Sequence, residues 1–268
     1  MSLYQHKRKP YDETLHKVMV QTAMDILKMF NYATTAYTQS DEITLLCPKN
    51  TLEKLEIPYG GNVVKMSSIL AGYCSARFNA NCMKYASEWP KTKEEYLKTC
   101  HENQTQTSYN PDKVQSRLFE GKAHFDCRVF NVDNNSELLN NVKHRSNYDC
   151  QRNSKASFGR AFFNPKQLLG LRAGQIIKKV KDEKNVDWNH CPDAYRYGSF
   201  VKNERFEKTS TDPKTDDQIM CVRTKQTAYS FELENFDSKN IELITQKTWN
   251  DVFGNNIIDQ SKITKLNL

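Results

Sequence analysis

An α+β fold is predicted for this 268-residue chain by three observations. Apolar residues recur at three- and four-residue steps in two separate stretches, the mark of amphipathic helices. Between them lies a segment that alternates like two strands and is broken by a tight polar turn. Hydrophobic residues make up 38% and aromatics 11%, enough to pack a core in one large domain or two small ones.

Taken in order, the basic run His6-Lys7-Arg8-Lys9 leads to Pro10 and Asp12, residue types suited to a helix start. Leu15, Val18, Met19, Ala23, Ile26, Leu27 and Phe30 then form one apolar stripe. A helix N-terminus behind three basic residues is a natural seat for phosphate; a solvated basic tail before a capped helix explains the same residues equally well. The stretch from Tyr32 to Leu46 reads as strand, turn and strand, with Ile43 and Leu45 on one face and Thr44 and Leu46 on the other. After a loop with Pro58, Gly60 and Gly61, a second helix carries the stripe Val63, Met66, Leu70, Tyr73, Cys74 and Phe78.

Residues 88–122 are polar and irregular, an exposed insertion with one short helix expected at Lys93 to Cys100. His124 to Asn131 alternates again like a strand, and a charge-dotted helical region follows to Phe163 through Arg145, Asp149 and Arg152. A short basic helix is expected over Ile176 to Lys184, a turn-rich stretch over Asn185 to Ser199, a disordered loop over Thr209 to Asp217, and short strands with a weak terminal helix after Met220. The expected division is a first part, 1–135, and a helical and irregular second part, 136–268.

Lys plus Arg exceed Asp plus Glu by 39 to 32, a net charge of +7 that suits a polyanionic partner such as RNA and is shared by many ordinary proteins. No apolar run approaches a membrane span, and Met1 to Pro10 lacks the apolar core of a signal peptide. The expectation is a cytoplasmic protein without a membrane partner. Its eight cysteines, with no Cys-x-x-Cys pair, are expected as reduced thiols.

The chemistry-bearing candidates are the adjacent carboxylates Asp41 and Glu42 at the hairpin tip. Strand neighbours point to opposite faces, so one can hold a divalent cation while the other orients a basic group or a second cation. A solvated acidic turn accounts for the same pair.

Several blocks occur in a telling order: Lys9-Pro10-Tyr11-Asp12-Glu13, Tyr37-Thr38-Gln39-Ser40-Asp41-Glu42, Lys65-Met66-Ser67-Ser68 with Phe78-Asn79, Phe125-Asp126-Cys127-Arg128, Arg152-Asn153-Ser154, and Asp187-Trp188-Asn189 through Tyr195-Arg196-Tyr197-Gly198-Ser199. In kind and order they resemble the tRNA(His) guanylyltransferase family, especially its shorter bacterial and viral members, over roughly residues 6 to 206. The resemblance implies a ferredoxin-like polymerase palm over 1–135 and nucleotide addition to the 5′ end of tRNA in the 3′ to 5′ direction. It also implies tRNA, GTP and ATP as partners, two Mg2+ ions, and a homotetramer. By position, Asp41 matches a metal-binding aspartate and Glu42 the acid beside it. Ser40 matches a nucleotide-contacting hydroxyl, and Lys9 and Asp12 match residues near the triphosphate. Lys65 and Arg128 match basic residues around the site, and Arg152 and Asn153 fall on a nucleotide-facing helix.

Two departures stand out. The family has Arg three residues before the Asp ahead of Arg152-Asn153, whereas Arg145 stands four before Asp149. The family's first palm strand, ending Arg-Ile-Asp-Gly and supplying a further metal ligand, has no counterpart here. The expectation is an N-terminally truncated copy in which two strands flanking the absent one lose backbone partners. An alternative from another class is a catalytically impaired RNA- or nucleotide-binding remnant.

Overall fold

The computed structural model describes residues 10–49, 57–89, 116, 120–211, 213–233 and 238–268. The expected helix at Lys93 to Cys100 lies outside them. The first helix, α1 (Glu13–Met29), starts where Pro10 and Asp12 place it: the Asp12 carboxylate accepts a hydrogen bond from the Leu15 N–H at 3.0 Å, satisfying one of the orphan amides of the first turn. All seven residues of its apolar stripe are buried, and so are Val20, Thr22 and Met24 on other faces. The helix is wedged between a sheet and a second helix, α2 (Val63–Lys84).

Five strands among the described residues form one antiparallel sheet in the order β2-β1-β3-β4-β5: β1 (Thr35–Gln39), β2 (Glu42–Leu46), β3 (Ser199–Thr211), β4 (Gln218–Ser230) and β5 (Thr264–Lys265). Pairing sets Ala36 opposite Val201, which in turn lies opposite Ala228. These small side chains let α1 lie close on that face, where they join Val20, Ala23 and Ile26 in one cluster. On the other face Tyr37, Phe200 and Tyr229 pack beneath three helices: α3 (Asn135–Lys143), α8 (Ser238–Thr245) and α9 (Trp249–Gly254). One sheet and its two covering layers thus draw on both sides of residue 135. The buried ammonium of Lys202 ties the strands to the C-terminal part, donating to Thr35 Oγ1 at 2.7 Å and to the Gln246 carbonyl at 2.5 Å.

The long β3–β4 hairpin corrects the expectation of a disordered loop at 209–217 and short strands after 220. Only the inner ends of its strands are buried; outside them β3 is mostly polar, and β4 carries the largely exposed apolar run Ile219 to Val222, which does not alternate. The period-two signal of a half-buried strand is therefore missing there. Residues 122–131 show the opposite case. Burial alternates residue by residue as a strand's would, yet no strand among the described residues pairs with them. Side chains of α2 hold them instead: Asn79 bonds both the N–H and the carbonyl of Ala123, and Ser75 Oγ accepts from the Phe125 N–H at 2.9 Å. Among described strands β2 pairs with β1 alone, so its other edge is unpaired. On α2, Val63 is exposed and does not extend the predicted stripe, whereas Leu70, Cys74 and Phe78 are buried.

A third cluster joins α4 (Gln151–Phe162), α6 (Ala173–Lys184) and α7 (Asp193–Tyr197) around Phe158, Phe162, Val180 and Trp188; a short α5 (Pro165–Leu168) connects the first two. Between α3 and α4 the helix widens into a π-helical turn, His144–Cys150. Its cause is a run of buried positions at four-residue steps, Val142, Ser146, Cys150, Ser154 and Phe158. At 3.6 residues per turn each such step drifts by about 40°, roughly 160° over the run. A wider turn takes up the drift and keeps both ends against the core.

Candidate functional site

The β1–β2 turn is made by Ser40, at φ +54°, and Asp41. Asp41 is exposed, and Glu42 is 51% exposed at its side chain. Glu42 Oε2 accepts from Gln39 Nε2 at 3.0 Å and lies 3.4 Å from Arg145 Nη1. Arg145 in turn pairs with Asp149 at 3.1 Å, and the same carboxylate, only 13% exposed, receives Arg152 at 3.1 Å and faces His144 at 3.5 Å. The four-residue spacing of Arg145 and Asp149 thus still yields an ion pair, the whole interval lying within the π turn. No group of three or more His, Cys, Asp or Glu able to hold a metal occurs among the described residues. As hard oxygen ligands Asp41 and Glu42 suit magnesium, but they supply only part of its shell.

Beside the turn a cleft runs between the start of α1, the turn itself and α4. It brings together three of the predicted residues, Asp12, Ser40 and Asn153, with Tyr11, His16 and Tyr195. Arg152, 69% exposed, is Asn153's chain neighbour but does not line it. Lys65 stands on the first turn of α2 with its ammonium 5.6 Å from the centre of the Tyr59 ring, and Arg128, 88% exposed, faces Asp126 at 3.5 Å; neither lines the cleft. Lys9 lies outside the described residues.

His16 was not singled out from the sequence. It is 8% exposed, lines the cleft, and places Nε2 2.8 Å from Ser199 Oγ, itself 2.7 Å from Ser230 Oγ. Its position one helical turn after Asp12 was the available signal. Burial pushes its imidazole down to about 4 from an ordinary 6.5. Between those values the unfolded chain binds the proton and the folded one does not. Stability is therefore full above pH 6.5 and falls as pH drops towards 4, by on the order of 3 kcal/mol. Denaturant unfolding at pH 7 and pH 4.5 is expected to show this loss in the parent and a smaller one in His16→Leu.

Residues 1–133 match the family model described as tRNAHis guanylyltransferase. The chain belongs to that family. An uncharacterized protein of Acanthamoeba polyphaga mimivirus is 31% identical over 204 residues, 73% of this guanylyltransferase-family chain, which spans 64% of that relative's length. Among solved structures, a bacterial tRNA(His) guanylyltransferase-like protein in complex with ATP aligns at TM-score 0.57 and 24% identity, covering 73% of this chain and 71% of that one. A bacterial protein of the same description in complex with GTP aligns at 0.55 and 17%, covering 89% and 79%. The tRNA(His) guanylyltransferase from Saccharomyces cerevisiae aligns at 0.53 and 17%, covering 74% and 76%. At these identities the likeness is one of fold. Within this family member, one wall of the cleft, with Asp12 and Ser40, lies inside the matched residues, whereas Asn153 and Tyr195 come from beyond them.

No helix among the described residues is long and apolar enough to cross a membrane. The described cysteines are all free; burial pushes Cys74, Cys82 and Cys150 up to about 12, which keeps them protonated and unreactive.

Proposed function

We propose that the chain is a nucleotidyltransferase of the tRNA(His) guanylyltransferase kind, acting on the 5′ end of tRNA with GTP or ATP. The observation that carries this reading is the meeting, in one cleft beside the acidic turn, of Asp12, Ser40 and Asn153 from three distant parts of the sequence. In this reading the 5′ phosphate is first activated with a nucleoside triphosphate, and the 3′ hydroxyl of the incoming nucleotide then attacks it. Asp41 and Glu42 are the residues that would hold magnesium, which when bound neutralises triphosphate charge and activates the attacking oxygen. Ser40 and Asn153 offer hydrogen bonds to the nucleotide. Asp149 holds Arg145 and Arg152 in place, and Arg145 in turn braces Glu42.

A second reading, an RNA- or nucleotide-binding protein without catalysis, is favoured by the partial carboxylate set among the described residues. Addition of labelled GTP to the 5′ end of tRNA separates the two. Binding of tRNA is expected in both, weakening steeply with salt because it depends on distributed basic residues. Arg152→Gln is expected to weaken it and lower the salt slope by about 1, measured by filter binding between 50 and 200 mM salt. Binding indifferent to salt counts against both readings.

A further inference from the structure

The cleft holds a buried polar ring that none of the family blocks contains. His16 is more than nine-tenths buried, its Nε2 is engaged by Ser199, and its Nδ1 has no hydrogen bond among the described residues. Leu15, Ala194, the Tyr11 ring at 5.6 Å, and Tyr195, whose ring lies 5.2 Å from that of Tyr11, give the cleft an apolar part beside its polar residues Asp12, Gln39, Ser40 and Asn153. Rings and uncharged hydrogen-bonding side chains with no Lys or Arg among them suit a heterocyclic base better than a phosphate, which takes cations and backbone amides.

We propose that His16 reads the hydrogen-bonding edge of a purine base in this cleft, and that the Ser199–Ser230 chain lets it do so for both adenine and guanine. The proposal rests on the nucleotidyltransferase reading. The two serines are fully buried, and either hydroxyl can be the donor between them. Reversing that chain turns Nε2 from donor to acceptor and therefore Nδ1 from acceptor to donor, since a neutral imidazole carries one N–H. Burial keeps the ring neutral near pH 7, as this requires. Adenine and guanine present opposite donor and acceptor patterns on this edge, and a ring able to exchange its proton between nitrogens meets either without leaving a buried group unpaired.

The test is isothermal titration of the 268-residue chain and its variants with ATP, GTP and tripolyphosphate, in magnesium at pH 7. Expected are parent affinities for ATP and GTP within about threefold of each other, and a loss of about tenfold or more for both in His16→Leu with tripolyphosphate unchanged. Ser230→Ala, which leaves Ser199 a single partner, is expected to change the ATP-to-GTP ratio by about threefold or more. Ring 15N shifts of His16 in the parent, which need no variant to fold, are expected to move with ATP and GTP but not with tripolyphosphate. Equal losses for all three ligands, or nucleotide affinities and ring shifts that do not respond, overturn the role of His16 and leave the nucleotidyltransferase reading standing. An unchanged ATP-to-GTP ratio in Ser230→Ala overturns the relay. A parent that binds neither nucleotide overturns both the reading and the inference.

Discussion

Joining a strand that ends in Arg-Ile-Asp-Gly, with its connecting loop, ahead of Tyr4 is expected to raise 5′ addition of labelled GTP by about 100-fold or more, and Asp41→Ala in the extended protein to remove that gain. The edge of β2 and the segment 122–131 give the reason. Ile43 and Leu45 of β2 and Phe125 and Cys127 of the segment are half-buried in one cluster, against the same helices, yet no backbone ladder joins them among the described residues. A strand between them would pair on both edges and carry its terminal aspartate to the end of β2 where Asp41 and Glu42 stand. The added carboxylate would complete an oxygen shell that the described residues supply only in part. Because Asp41 is exposed at a turn and outside the core clusters, its alanine variant is expected to keep the parent's unfolding midpoint. Full activity in the 268-residue chain would show that other residues complete the site. Activity of Asp41→Ala within a few fold of its parent would remove Asp41 from the chemistry.

Gly198→Ala is expected to cost more than about 3 kcal/mol of stability. Gly198 ends α7 at φ +80° and ψ −167°, a conformation open almost only to glycine. A Cβ there would lie 2.4 Å from Tyr37 Oη and 2.7 Å from Cζ. Tyr37 cannot retreat. It is 1% exposed, its hydroxyl donates to the Tyr197 carbonyl at 2.8 Å, and its ring lies 4.9 Å from that of Phe200 in the core. Gly170→Ala is the control, since φ is +79° there but nothing lies within 4 Å of the added atom. Only the backbone penalty of about 1 kcal/mol is expected from it. Urea unfolding of both variants separates the two terms, and equal losses would show that contact with Tyr37 costs nothing.

What the sequence made legible follows from where periodicity survives. The α1 stripe, the Asp12 helix start and the hairpin between Tyr32 and Leu46 each rest on neighbours in the chain and are found where they were expected, although the tip is Ser40 and Asp41, with Glu42 already in β2. The β3–β4 ribbon was hidden because Lys202 to Ser210 is mostly polar on both faces, and in β4 the largely exposed apolar residues Ile219 to Val222 form an unbroken run in place of alternation. The segment 122–131 has a strand's pattern without a ladder, because alternation records which side chains meet α2 and says nothing about a partner for the backbone. Of the candidate site residues, Asp12, Ser40 and Asn153 converge while Lys65 and Arg128 do not line the cleft. Basic side chains on separate elements carry no local mark of the direction in which the fold will turn them. His16 escaped notice because a single histidine within an apolar stripe has the periodicity of core.

The π-helical turn at His144–Cys150 makes residue counting a poor guide to equivalence on either side of it. A wide turn works like an expansion joint: one residue can be gained or lost there while the helices before and after keep their facing. Alignments through this stretch are better anchored on the Arg145–Asp149 contact than on spacing, and a gap placed within it has little structural meaning. The same joint offers an engineering site, since removing Asn147 would tighten the turn towards an ordinary α-helix while α4, with Asn153 on it, keeps its facing.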